Sequence, residues 1–299
     1  MKKRNHYVWK HYLKPWLNSD GKIIYKRDGK IDDINLNNIA VEKYFYKLQQ
    51  LSSDDLKFIE KVFLNEKNPH VFEIDKEWFA LFSWANSLIS LKDRINNEDI
   101  QKDLDILIKE FNENIHTKIE SLSENYLECL YKKDISFYDT EEGNTEFNFF
   151  ICEQYFRTSD MKKRMIQMYI PVKNVNFENC WNVASHILAI NLSLTLSANR
   201  DKFKCILLEN ETDISFLTSD QPVVNIAGNR RAMRKLTMNE FEIYYPVTPK
   251  IAFLLCFKEN LLGSKKSVIT LNDTQVKNYN SMVKNQGGSI IFSNSRDGL

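Results

Sequence analysis

The chain has 299 residues, of which 43% are hydrophobic and 27% charged, with a formal net charge of +1; this is ordinary for a globular protein that buries one large core or two packed ones. Only 8 glycines and 6 prolines are present, which excludes a loop-built or disordered chain, and no apolar run reaches the roughly 18 residues that mark a membrane span. The five cysteines, Cys129, Cys152, Cys180, Cys205 and Cys256, are odd in number and scattered, so neither a disulfide framework nor a zinc ligand pair is predicted and a reducing cytoplasm is the expected location.

The first residues are basic but lack a following apolar segment, so no signal peptide is expected. Residues 5–17 interleave aromatic and basic groups, and Pro15 disfavours helix immediately before it. Asp20-Gly21 marks a turn, and residues 22–26 read as a strand closed by Asp28-Gly29. From residue 37 the pattern turns helical, with Val41, Tyr44, Phe45, Leu48 and Leu51 on one face. Ser52 to Asp55 can cap a second helix that ends at Asn68-Pro69. Trp78, Leu81, Phe82, Ala85, Leu88 and Ile89 supply a third.

The clearest helix is predicted over 97–133, with an apolar stripe through Ile100, Leu104, Leu107, Ile108, Phe111, Ile115, Ile119, Leu122, Tyr126 and Leu130. His116 lies beside that stripe and reads as a partly buried or surface histidine rather than a ligand. A polar break follows at 141–144, then an aromatic helix over 147–156 and another, capped by Thr158 or Ser159, to Met168. A last long helix covers 179–199. Beyond Arg200 the period becomes extended: a strand at 204–209 with an antiparallel partner at 215–219, a hairpin over 241–247 and 251–257, a short helix at 273–284, and a closing strand at 288–293.

The expected fold class is α+β, a helical first half packed on a mostly antiparallel sheet from the C-terminal third plus the N-terminal strand. It is expected as a single domain, 1–299, with 37–199 mainly helical and 200–299 together with 1–30 mainly β. Charge is unevenly spread along it. Residues 1–30 hold nine basic groups against Asp20 and Asp28, while 95–146 holds fourteen acids against five lysines. Such a dipole can steer an anion; equally, the acidic stretch is the solvated face of a helix or, over 97–133, a face for a protein partner.

No phosphate-binding glycine loop, dinucleotide fingerprint, paired-histidine zinc helix or nucleophile elbow is present. Three constellations remain. His6-Tyr7-Val8 offers a proton-exchanging group among aromatics that can stack on bases; alternatively, His6 bonds a backbone group where the chain enters the fold. Gln154 and Arg157 share one helix face, and Arg157 either grips a phosphate or satisfies an acid such as Asp220. Thr218-Ser219-Asp220-Gln221-Pro222 ends a strand, and its acid either acts or caps a turn. Arg230, Arg231 and Arg234 add cations in a following loop.

These motifs, in this order and with the Tyr-Pro-x-Thr-Pro segment at 245–249, resemble a widespread bacterial family catalogued only as a domain of unknown function. Trp9 and Gln221 depart from that family's usual Pro and Asn. The resemblance implies that His6, Arg157 and Asp220 meet. It implies no reaction.

The leading expectation is an enzyme acting on a phosphodiester, RNA above all, in a bacterial defence or toxin setting. His6 would move the proton, Arg157 would stabilise charge on phosphate, and Asp220 would orient His6 or hold a divalent metal. Tyr7, Gln154, Ser219, Arg230, Arg231 and Arg234 would bind the nucleic acid. No residue is assigned as a metal ligand and no cofactor is fixed. The alternatives are a non-catalytic interaction or ligand-binding module in which the same three residues form a structural knot, and a small-molecule hydrolase with Ser219 or Thr218 as nucleophile.

Overall fold

A computed structural model of the chain describes residues 4–169, 172–227, 241–257 and 268–299. The chain opens with strand β1 (Arg4–His6), a one-turn helix α1 (Lys10–Leu13) and a 3₁₀ turn over Lys14–Trp16. Pro15 does not exclude helix before it. The α-turn closes at Leu13, and the proline sits in the first turn of the 3₁₀ segment, where its missing N–H is not needed. Strands β2 (Ile23–Arg27) and β3 (Lys30–Ile34) form an antiparallel hairpin. Asp28 and Gly29, at φ 50° and 78°, make the left-handed corner that such two-residue turns require.

The helix expected from residue 37 is absent. Val41–Lys43 is strand β4, antiparallel to β1. Ala40 and Tyr44 flank it at φ 49° and 57°, conformations that no right-handed helix contains. The apolar spacing of Phe45, Leu48 and Leu51 instead serves an irregular segment buried in the core.

Six helices follow: α2 (Ser53–Phe63), α3 (Pro69–Lys92), α4 (Glu98–Tyr131), α5 (Glu141–Phe156), α6 (Ser159–Tyr169) and α7 (Phe177–Ala198). Their starts are chemically marked. Ser52 and Asp55 form a reciprocal capping box, Asn68 and Asn97 accept two backbone N–H groups each, and Thr140 accepts the Gly143 N–H. Asn68-Pro69 therefore opens α3 rather than closing α2. The polar residues 141–144 are no break either. They form the first turn of α5, where Glu141 and Glu142 face the positive end of the helix dipole.

The β part comprises β5 (Phe203–Asn210), β6 (Thr218–Ser219), β7 (Val224–Asn225), β8 (Ile243–Thr248), β9 (Ile251–Phe257), β10 (Val268–Leu271) and β11 (Ile290–Ser293), with α8 (Asp273–Gln286) before the last strand. One sheet runs β10-β5-β9-β8-β7 and another β3-β2-β11-β6. Among the described residues every pairing is antiparallel except β10 with β5. The expected pairing of 204–209 with 215–219 does not occur. β5 lies between β9 and β10, and β6 pairs with β11 instead. The N-terminal hairpin joins the second sheet through β2 and β11.

The fold is α+β, with helices concentrated in the first two thirds and mostly antiparallel sheet toward the C-terminus. Helices α5 and α7 pack along one another, and α4 reaches the sheet at β8 and β9. Phe147 of α5 meets Phe253 of β9 edge to face at 5.0 Å, joining the helical layer to the sheet. Tyr12 stacks on Tyr245 at 4.9 Å, and its hydroxyl lies 2.5 Å from the Thr218 hydroxyl and donates to the Pro246 carbonyl at 2.6 Å. The N-terminal turn is thereby pinned between both sheets. Among the described residues no helix is long and apolar enough to cross a membrane.

Helix α4 is turned differently from its apolar stripe. Ile108, Ile119 and Leu130 are buried, but Ile100, Leu107 and Leu122 are exposed, Leu122 to 63%. The inward line runs Ile108, Asn112, His116, Ile119, Ser123, Leu127, Leu130. Three polar residues thus enter the interior, and two of them build the site described next.

Candidate active site

A cleft of about 270 Å³ is lined by Arg4, His6, Trp9, Lys10, Glu113, His116, Thr117, Glu120 and Arg157. β1 and α1 form one wall, and α4 and the end of α5 form the other. The basic opening of the chain is laid along the acidic helix. The Asn5 amide donates to Glu113 at 2.8 Å, and the His11 ring nitrogens lie 3.3 Å from Glu124 and 3.9 Å from Glu128. Arg4 and Lys10 of the basic opening thus line the same cleft as Glu113 and Glu120 of the acidic helix.

Arg157 closes the floor and is 3% exposed. Its Nε donates to the Tyr46 hydroxyl at 2.8 Å, Nη1 to Glu120 at 2.5 Å and Nη2 to the His6 carbonyl at 3.0 Å. Burial pulls its pKa down, but Tyr46 and Glu120 outweigh that and hold it above the usual arginine value. The acid that satisfies Arg157 is thus Glu120 on α4 and not Asp220. Burial likewise raises the Tyr46 hydroxyl, with Arg157 acting against it.

Behind the cleft lies a polar cluster from three helices. His116 of α4, Glu153 of α5 and His186 of α7 are all buried, with one ligand-type atom of each within 4.8 Å of the others. His186 Nδ1 is 2.7 Å from Glu153 Oε1, and its Nε2 is 2.7 Å from Asn112 Oδ1. His116 Nδ1 is 3.7 Å from the other carboxylate oxygen of Glu153 and makes no hydrogen bond among the described residues. The two imidazoles stack at 4.8 Å, and Trp78 of α3 stacks on His186 at 5.1 Å. Burial holds the His116 pKa well below the usual histidine value, and Arg157 and His186 lower it further. At neutral pH His116 is therefore uncharged and keeps a lone pair, as a base or a metal ligand must. It is the one residue shared by the cleft and the buried cluster.

Asp220 sits elsewhere. It is 2% exposed and does not line the cleft. Its Oδ1 accepts the Ile290 N–H at 2.9 Å and its Oδ2 the Ser289 hydroxyl at 3.3 Å, while its own N–H donates to the Ile290 carbonyl. Burial raises the carboxyl to about 6, the Ile290 N–H opposes this, and nearby Asp160 adds to the rise. Gly288 makes the contact feasible, since a Cβ there would lie 1.9 Å from Asp220 Oδ1. Ser219 is equally occupied: its hydroxyl donates to the Gln221 carbonyl at 2.8 Å and accepts the Gln221 N–H at 3.1 Å.

Of the expected catalytic set, His6 and Arg157 come together and Asp220 lies apart, clamped to β11. Among the expected substrate-binding residues, Tyr7, Gln154 and Ser219 are buried and outside the cleft; Arg230, Arg231 and Arg234 lie outside the described residues. Thr158 does cap α6, accepting the Met161 N–H at 3.3 Å, and it also bonds the Gln221 side chain. A family model described as a protein of unknown function, DUF4238, matches residues 94–297. The chain belongs to the DUF4238 family. Comparison with curated proteins and with solved structures finds no match. The DUF4238 match contains His116, Glu153, Arg157, His186 and Asp220, whereas His6-Tyr7-Val8 precedes it.

Glu153 and His186 were not legible as site residues. Each sits inside an aromatic or apolar helix, and the only mark in the sequence is a charged or titratable group where the helical face calls for an apolar one. Asn112 and His116, four apart on α4, carry the same mark.

Proposed function

We propose that this chain is a hydrolase acting on a phosphodiester, with RNA as substrate class, and that its reaction takes place in the His6 cleft. The observation that carries the reading is the convergence of two histidines, two carboxylates and an arginine on one concave surface, with Arg4 and Lys10 at its lip. Arg157 spends three of its N–H groups on Tyr46, Glu120 and the His6 carbonyl, which leaves two of five for an anion. His116, held neutral, and His6 are the groups able to move a proton. Arg4 and Lys10 supply the sequence-independent attraction to a backbone. Asp220 has no role in this scheme beyond fastening β6 to β11.

The test is cleavage of end-labelled RNA and DNA by the purified chain, with and without Mg²⁺, Mn²⁺ or Zn²⁺. RNA cleavage by the wild type, lost in His6→Ala and kept in Leu122→Ser, supports the reading. Intact RNA and DNA under every condition overturns it.

One set of observations favours a second reading, a non-catalytic interaction module. Arg157, Asp220, Ser219 and Thr158 are all buried and bonded within the chain, as members of a structural knot would be. The outer face of α4 supports it, since an apolar groove of about 480 Å³ runs between α3 and α4, lined by Trp78, Leu81, Leu107, Phe111 and Phe149. Under this reading no nucleic acid is turned over.

A further inference from the structure

We propose that His116, Glu153 and His186 form a buried binding site for one divalent first-row transition-metal ion behind the His6 cleft. The inference goes beyond the phosphodiester reading and does not depend on it.

Two imidazoles and one carboxylate are the donor set of many zinc and non-haem iron sites that keep positions free for water or substrate. Here the three donors come from three different helices, α4, α5 and α7, and converge at a point without any local sequence motif. Ligands of one ion at about 2.1 Å can lie no more than about 4.2 Å apart. The observed spread of up to 4.8 Å thus needs a contraction of about 0.6 Å, within the reach of small side-chain rotations.

Three features of the surroundings fit an ion better than a bare hydrogen-bonded knot. His116 Nδ1 is a buried polar atom with no hydrogen bond among the described residues, 3.7 Å from Glu153 Oε2. A knot would leave that atom at a loss of about 1–3 kcal/mol, whereas an ion between it and the carboxylate satisfies both. His186 turns Nδ1 to the cluster and Nε2 to Asn112 Oδ1 at 2.7 Å. This is the outer-shell arrangement in which the far ring N–H donates to an oxygen and fixes the tautomer for metal binding. For Nδ1 to bind, its 2.7 Å contact with Glu153 is exchanged for the ion, and any proton held in that contact leaves to solvent. Finally, Trp78 and Phe82 pack against His186 at 5.1 and 5.3 Å, closing the site on the α3 side. His116 lines the cleft on the other, so an ion would reach the cluster past its ring. Mg²⁺ and Ca²⁺, which prefer all-oxygen shells, are not expected to bind.

The experiment uses the full chain, dialysed against chelator and then titrated with Co²⁺, Zn²⁺ or Mg²⁺. Expected are one Co²⁺ per chain with visible d–d absorption, quenching of tryptophan fluorescence through Trp78, displacement of Co²⁺ by Zn²⁺, and no response to Mg²⁺. His116→Gln and Glu153→Gln should each weaken binding by at least about 10-fold. Absence of a band in the wild type, a response to Mg²⁺ but not Zn²⁺, or a band unchanged in both variants overturns the proposal. Should the variants fail to fold, X-ray absorption at the zinc edge of the wild type decides: a shell of two imidazoles and a carboxylate supports the site, and a sulfur shell refutes it. Because the readout is binding, a failed nuclease assay leaves this result standing, and the reverse also holds.

Discussion

Asp220→Asn is expected to stabilise the protein at neutral pH, by an amount that shrinks as the pH falls. Burial raises the Asp220 carboxyl from 3.8 to about 6, against the pull of the Ile290 N–H and with Asp160 adding to it. The folded chain therefore holds this proton more tightly than the unfolded chain. Stability linked to the group is full below about pH 4 and is lost as the pH rises through about 6. A difference of about two units corresponds to about 3 kcal/mol. Asparagine carries no charge into the interior and escapes that loss, and its Oδ1 remains an acceptor for the Ile290 N–H, now at 2.9 Å. Linkage then predicts a gain of about 3 kcal/mol at pH 7 that falls to about 0.5 kcal/mol at pH 4. Urea unfolding of both proteins, followed by circular dichroism across that range, measures the difference directly. Equal stabilities at pH 7, or a gap that does not change with pH, would refute the reasoning. Asp220→Ala removes the acceptor as well and strands a buried N–H, so its gain should be smaller by about 1–3 kcal/mol.

Arg157→Ala should destabilise the fold by about 3–5 kcal/mol, because it breaks the buried ion pair with Glu120 and removes one of the donors to the His6 carbonyl; denaturant unfolding reads this out. Gly288→Ala should cost upwards of about 2 kcal/mol, since its Cβ would fall 1.9 Å from Asp220 Oδ1. The loss should shrink when Asp220 is also made Ala, which a double-mutant cycle would show. Leu122→Ser, at a side chain 63% exposed, should change stability by no more than about 0.5 kcal/mol.

Helix starts and the β8–β9 hairpin were legible because their signals are local. Ser52 and Asp55 bond each other's turn, Asn97 bonds the two N–H groups that follow it, and Thr248 and Lys250 bracket a corner. The segment from Val41 to Leu51 misled because three- and four-residue spacing also arises when an irregular chain buries alternate sides. Nothing apolar in that pattern announces the left-handed Ala40 and Tyr44. The face of α4 misled for the opposite reason. Its deepest positions are taken by Asn112, His116 and Ser123, and a search for apolar stripes rotates the helix away from them. Asp220 stood out by its neighbours in sequence, yet its partners, Gly288, Ser289 and Ile290, come some seventy residues later. The hydroxyls and the acid of the 218–220 strand end were visible; that they are consumed in fastening β6 to β11 was not.

The charges of the interior suggest how cleft and cluster act on each other. Arg157 balances Glu120, and burial keeps His116 uncharged. A divalent ion held by His116, Glu153 and His186 would add positive charge at the back of the cleft. In a medium this poorly hydrated such a charge is not left alone. Arg4, Lys10 and Arg157 line the cleft beside it, so the added charge would strengthen the pull on an anionic ligand entering from the His6 side. A phosphate ester would meet it beside the two unspent N–H groups of Arg157. The ion would then tighten binding of an inorganic phosphate probe, and by reciprocity phosphate would tighten binding of the ion by the same factor. A cluster that serves packing alone has no such coupling, because nothing in it exchanges with solvent.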